Sequence, residues 1–188
     1  VTNATMKAID FHKLSPQESS GKEEIAVHAE DFVQLQRTQH VHDMRNHFDI
    51  VSLHKTERMK HYGLHYAKYV GRLARGTAEP KPVQRTLVDA LLVNLSAANT
   101  LAQDLSRENL LVPGSRDLFL FFADASGRFA DACEKIDHME DFVSIAREAN
   151  KDVTCCILAL AKDYQIDLPA TVNTRRRELS ERHFYIAD

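Results

Sequence analysis

The sequence predicts an all-α fold, an antiparallel bundle of six or seven helices, on three observations. From Lys22 onward the apolar residues recur at spacings of three and four, the period of a helical face, and period-two alternation is hard to find. All five prolines fall ahead of, between or at the starts of the periodic stretches, where they interrupt no helical interior. The composition, 44% hydrophobic and 27% charged with only six glycines, is that of a folded helix-rich chain rather than a disordered one.

The elements follow in order. Residues 1–21, with Pro16, Ser19, Ser20 and Gly21, read as a flexible N-terminal tail. Phe32 and Leu35, then Met44, Phe48 and Val51, then Met59, Tyr62, Tyr66, Val70 and Leu73, mark inward faces of the first helices. "GTAEPKP" at 76–82 has a glycine, two prolines and no large apolar group, so it stops one helix and starts the next. Val83, Leu87, Leu91, Asn94, Ala98, Leu101 and Leu105 then draw a long stripe. "VPGS" at 112–115 is the next break, with Ser115 able to cap the following helix. Leu118, Phe122, Ala125, Phe129, Ala132 and Ile136 face inward as far as a corner at "DHME". Phe142, Ile145, Ala149, Val153, Cys156, Leu160 and Tyr164 line a further helix, and Pro169 opens a last one that runs to about Phe184.

At 188 residues the chain has the size of one domain or of two small fused repeats. Residues 22–188 are therefore read as a single helical domain. The net charge of -3 gives no global attraction to nucleic acid or membranes, and no apolar run approaches the length of a membrane span. Cys133, Cys155 and Cys156 are odd in number and two are adjacent in an apolar run, which suits buried reduced thiols and a cytoplasmic setting. The first residues lack the basic start and apolar core of a secretory leader.

Within this body the chain repeats itself. "YVGRLA" at 69–74 is echoed by "ASGRFA" at 125–130, so that Gly71-Arg72 aligns with Gly127-Arg128. The helices that follow, "DALLVNLSAANTLAQDL" from Asp89 and "DVTCCILALAKDYQIDL" from Asp152, have equal length, and both begin with aspartate and end in Asp-Leu. A duplication accounts for this, with repeat-like halves at about 40–111 and 115–186 and a length change confined to a loop.

These segments, "KYVGRL", "DASGRF", "LVDALLVNLSAANTLAQDL" and "KDVTCCILALAKDYQIDL", resemble the MazG-like, all-α nucleoside triphosphate pyrophosphohydrolases over roughly 58–184. The resemblance implies tandem MazG-like units, each a helical pair, supplying internally what the family often assembles by dimerisation. It also implies a nucleotide cleft and a cluster of carboxylates, E-x-x-E on one helix and E-x-x-D on the next, holding magnesium ions that offset phosphate charge and activate water. The matching positions here are Tyr69, Arg72, Thr86 and Asp89 in the first half, and Ala125, Arg128, Ala149 and Asp152 in the second. Only the final aspartate of each set remains. A guanidinium at a metal ligand's position can pair with that aspartate directly, so bridges Arg72–Asp89 and Arg128–Asp152 are expected in place of the ion.

The expected protein is thus a non-catalytic nucleotide- or phosphate-binding or protein-interaction bundle, needing no cofactor, with a protein partner or a second copy as further possibilities. Two alternatives stand beside it. A pyrophosphohydrolase could use magnesium held by Asp124, Glu148 and Asp152 in a shifted geometry. A histidine-dependent metalloprotein could use the dense set His40, His42, His47, His54, His61 and His65, of which His61 and His65 have the i, i+4 spacing that places two imidazoles on one metal. The basic end "NTRRRELSERHF" carries Arg175 and Arg182 near positions where the resembling family holds phosphate; a solvated face complementing the helix dipole is the other reading. No P-loop, nucleophile elbow or C-x-x-C pair occurs.

Overall fold

The computed structural model describes residues 31–111 and 117–181, which form seven α-helices and, among those residues, no strand. The expected N-terminal tail, Ser115 and Arg182 lie outside the described residues. The helices are α1 (Asp31–Asn46), α2 (Phe48–Val51), α3 (Lys55–Arg75), α4 (Val83–Thr100), α5 (Leu118–Asp137), α6 (Val143–Asp163) and α7 (Leu168–Ser180). No helix among the described residues is long and apolar enough to cross a membrane.

Their ends follow from local chemistry. Asp117 and Asp167 accept bonds from the amides of Leu120 at 2.9 Å and Ala170 at 3.0 Å, satisfying donors that the first turns of α5 and α7 leave free. Pro169 occupies the first turn of α7, where its missing N–H costs nothing. Gly76 closes α3 with a φ of 52°, a conformation that a Cβ would strain. The stripe Val83–Leu105 is not one helix. It stops at Thr100, the chain turns at Ala102 with φ 51°, and Leu105 stays buried from a short 3-10 turn capped by Asp104.

Four helices form the core. Tyr62 meets Thr100 at 3.2 Å and Tyr69 reaches the carbonyl of Asp89 at 3.2 Å, so α3 and α4 run antiparallel. Lys60 pairs with Asp137 while Tyr66 packs edge-on against Phe129, and this sets α3 antiparallel to α5. Arg147 donates to the carbonyl of Leu101, and Thr154 to the side chain of Asn94, so α6 runs antiparallel to α4. The ring closes through α5 against α6, and α1 and α7 cover α4 from outside. At Gly63, where α3 faces α5, a Cβ would make ordinary contacts, 3.5 Å from the Cys133 sulfur and 3.8 Å from the Phe129 ring. The glycine of the second repeated motif, Gly127, faces open space.

The apolar stripes of α3 to α6 converge as their spacing predicts: Met59, Tyr66, Leu87, Leu91, Phe122, Phe129, Val153 and Cys156 are fully buried. All three cysteines are free and buried. The first helices correct the expectation. Met44 and Phe48 are exposed, as is Tyr164 at the end of α6, and α1 instead turns Gln39, His42 and Asp43 inward. The cause is its partner. α4 offers α1 a polar edge, where Ser96 donates to Asp43 at 2.6 Å and Gln36 donates to Asn99 at 3.2 Å.

The centre of the bundle is polar. Asn150 on α6 accepts from Tyr66 at 2.6 Å and from Asn94 at 2.9 Å, and donates to Gln103 at 3.0 Å. Asn94 also donates to the Asn150 carbonyl and accepts from Thr154. Each group is fully enclosed and bonded, as a buried polar cluster must be if it is not to destabilise the core.

Candidate functional site

A cleft of about 380 Å³ opens between α1, α2, α3, α4 and α7. Its charged wall is built around Asp89, one turn and a half into α4. Arg175 of α7 donates to one carboxylate oxygen at 2.7 Å, Arg85 lies 3.5 Å from the same oxygen, and Arg72 of α3 lies 3.6 Å from the other. Arg85 and Arg175 also share Glu178, at 2.9 and 3.0 Å, and the Arg175 bond holds that carboxyl below its usual range. Lys68 and Lys81 complete the wall. Three guanidinium groups thus meet two carboxylates, with two ammonium groups nearby, and the excess is cationic. Burial first, and then the Arg72 charge, hold Lys68 below the ordinary lysine range.

Arg72 is the least satisfied of the three. Its guanidinium stands 5.7 Å from the Tyr69 ring, and its Nη1 is buried without a hydrogen-bond acceptor. Such a donor costs stability unless something accepts from it. Ile50, Val51, Leu92 and Leu179 add apolar lining to the cleft.

The sequence-derived residues divide between two places. Arg72, Asp89 and Arg175 come together in this cleft, as do His61 and His65. Asp124, Glu148 and Asp152 do not join them: they sit on α5 and α6, Asp124 and Asp152 sharing Arg128 and Glu148 facing Lys151. Arg128 donates to Asp152 at 2.6 Å and to Asp124 at 3.0 Å, while Lys151 donates to Glu148 at 2.7 Å. Asp124 and Glu148 are more than half exposed. Among the described residues, no group of three or more His, Cys, Asp or Glu side chains is placed to hold a metal ion.

The histidines are paired rings. The His61 and His65 rings lie 4.6 Å apart between centroids, tilted by 52°, and the His65 Nδ1 faces the Tyr69 hydroxyl at 3.2 Å and Lys68 at 2.8 Å. Burial, then Lys68 and then His61, bring His65 down to about 4. His42, on the buried side of α1 and 5.5 Å from the His47 ring, is likewise brought down to about 4, first by burial. His40 is exposed. His61 is lowered too, first by burial, and all three imidazoles are neutral when folded, so the unfolded chain takes up their protons first. Stability is therefore present above pH 6.5 and is lost as pH falls toward 4. Asp43, whose carboxyl is raised by burial, works in the opposite sense as it protonates. Thermal melts between pH 7.5 and 4.5 (roughly the window of an ordinary imidazole) are expected to show a falling midpoint, with a shallower fall in His65→Gln.

Sequence reasoning missed part of the assembly. Lys68, Lys81 and Arg85 drew no notice because cations on helical surfaces are common. Arg176 is buried, donating to Gln39 at 2.9 Å and to the Leu35 carbonyl at 3.0 Å, and so ties α7 to α1. Its position beside Arg175 in a basic run concealed this; the run splits, with Arg175 turned to α4 and Arg176 to α1. None of the protein-family models, curated proteins or solved structures compared with the chain matches it. The fold and the cleft by themselves define an all-α bundle with an arginine-rich interhelical cleft.

Proposed function

We propose that the protein is a diverged tandem of MazG-like units that binds a phosphate-bearing ligand, the class to which nucleotides belong, without hydrolysing it. The observation that carries this reading is the Asp89 carboxylate surrounded by Arg72, Arg85 and Arg175 in an open cleft. In the resembling family the positions of Tyr69, Arg72 and Asp89 supply carboxylates to magnesium. Here all three line the cleft together with Arg85 and Arg175, while the fourth position, Thr86, lines a neighbouring cleft; the gathered cations support a site that offsets phosphate charge without ions. Guanidinium forks suit phosphate oxygens, and the Nη1 of Arg72, 3.6 Å from the Asp89 carboxylate and short of a hydrogen bond to it, has an acceptor to gain. The described residues do not offer the clustered carboxylates that would hold a metal-bound water in line with a phosphorus. As a second reading, the exposed residues Val33, Val41 and Met44 on α1 and Phe48 at the start of α2 favour a protein partner on that outer surface.

Calorimetric titration with inorganic diphosphate and a panel of nucleoside triphosphates tests the first reading. Binding is expected without divalent metal, and added magnesium, which competes for the phosphate oxygens, should weaken it. Arg72→Ala should lose about tenfold in affinity, the equivalent of one charge-assisted hydrogen bond. No monophosphate or diphosphate should accumulate. Metal-dependent product that disappears in Asp152→Ala would instead establish the hydrolase alternative.

A further inference from the structure

We infer that the ligand of the arginine cleft is an organic phosphate or diphosphate whose organic part is apolar, an alkyl or prenyl group rather than a nucleobase, seated in a second cleft beside the first. This rests on the anion-binding reading above. The second cleft holds about 250 Å³ and lies where the end of α3, the Gly76–Ala78 turn and the start of α4 meet the start of α5 and the end of α6. Leu73, Val83, Phe119, Leu160 and the Tyr164 ring line it. Arg72 and Lys81 line both clefts, so a phosphate held by these two cations has the arginine cluster on one side and an apolar chamber on the other.

Three features select the organic part. The chamber exceeds the roughly 150 Å³ that suffices to hold a benzene ring in an apolar protein cavity. Its polar complement is too sparse to read a base. Apart from the two shared cations only Thr77, Glu79, Thr86 and the hydroxyl of Tyr164 contribute polar side-chain groups. Glu79 is already committed, with one oxygen held by Arg75 at 2.6 Å and the other by the Lys81 amide at 3.3 Å. A base placed here would leave its ring nitrogens and exocyclic groups without matched partners, whereas an alkyl chain loses nothing on leaving water. The charges at the mouth then orient the ligand, since only its anionic end finds complementary groups at Arg72 and Lys81.

The test is calorimetry on the full chain with inorganic diphosphate, isopentyl diphosphate and adenosine diphosphate. Isopentyl diphosphate is expected to bind at least tenfold more tightly than inorganic diphosphate, a gain for which burying roughly two methylenes is enough. Adenosine diphosphate should bind no more tightly than inorganic diphosphate. Leu160→Trp, which fills the chamber, should abolish the gain and leave inorganic diphosphate binding unchanged. Should that variant fail to fold by circular dichroism, Val83→Trp fills the same chamber from the exposed start of α4. Equal affinities for the isopentyl and inorganic compounds, a gain that survives chamber filling, or preference for adenosine diphosphate each overturn the inference and leave the anion site standing. Failure of all three compounds to bind overturns the anion site and the inference together.

Discussion

Asn150→Leu is expected to destabilise the protein by about 3 kcal/mol, the cost of stranding two buried polar groups. The side chain accepts from the Tyr66 hydroxyl at 2.6 Å and donates to Gln103 Oε1 at 3.0 Å, and Tyr66 and Asn150 are both fully buried. Leucine supplies neither partner. The Tyr66 hydroxyl, whose phenol burial already pushes upward, would keep only the long 3.4 Å contact in which it accepts from Asn94, leaving its own proton unspent. Gln103 retains its amide bonds to Glu108 and to the Arg147 carbonyl but has no donor for its oxygen.

For a chain of this size the loss corresponds to a fall of roughly 6–12 °C in Tm. Urea unfolding of the wild type, Asn150→Leu, Tyr66→Phe and the double variant makes the argument quantitative. Removing the stranded hydroxyl should restore about 1 kcal/mol in the double variant relative to additivity. Additive losses would mean that the centre of the bundle tolerates an unpaired hydroxyl and that the network contributes little.

This network marks the limit of what the sequence makes legible. The apolar stripes of α3, α4, α5 and α6 are strong signals because burial of one helical face requires them, and the structure places Leu91, Phe122, Phe129 and Val153 inside as the spacing predicts. Asn94 falls on its stripe, so an inward polar residue was visible there. Asn150 sits one position after Ala149, and nothing local separates a core asparagine from a solvated one; its role depends on Tyr66, 84 residues away. On α1 the same periodicity misleads. Met44 and Phe48 are apolar and exposed, whereas Gln39 and Asp43 are polar and buried, because Ser96 and Arg176 on other helices satisfy them. The site divides in the same way. Arg72 and Asp89 could be linked through the repeated glycine–arginine pair, and they lie 3.6 Å apart. Arg85, one helical turn before Asp89, was within reach of the spacing alone, whereas its link to Glu178 and the place of Lys81 required the fold, which brings the start of α4 beside α7.

Asp89→Asn should lower stability and raise anion affinity together, a combination that separates an arginine cleft from a metal site. Asp89 is mostly buried and is the common counter-charge of Arg72, Arg85 and Arg175. Asparagine preserves the volume but removes the charge, so three guanidinium groups are left with Glu178, which reaches only two of them. Breaking a buried pair of this kind costs about 3 kcal/mol when the partner charge stays inside. The same change frees the cations. In the wild type an incoming phosphate competes with the carboxylate for Arg72 and Arg175 and is repelled by it; in the variant both penalties vanish, and affinity for inorganic diphosphate should rise about tenfold, or about 1.4 kcal/mol. Added diphosphate should accordingly recover much of the lost Tm, since a ligand bound only by the folded state stabilises it by mass action. A metal-dependent site predicts the reverse, because Asp89 would be a ligand and its loss would weaken phosphate binding through the ion. Melting curves of wild type and Asp89→Asn, with and without diphosphate and with and without magnesium, decide between the two. A variant that loses stability and affinity in parallel would show that Asp89 organises the cleft for its ligand rather than holding its cations in reserve.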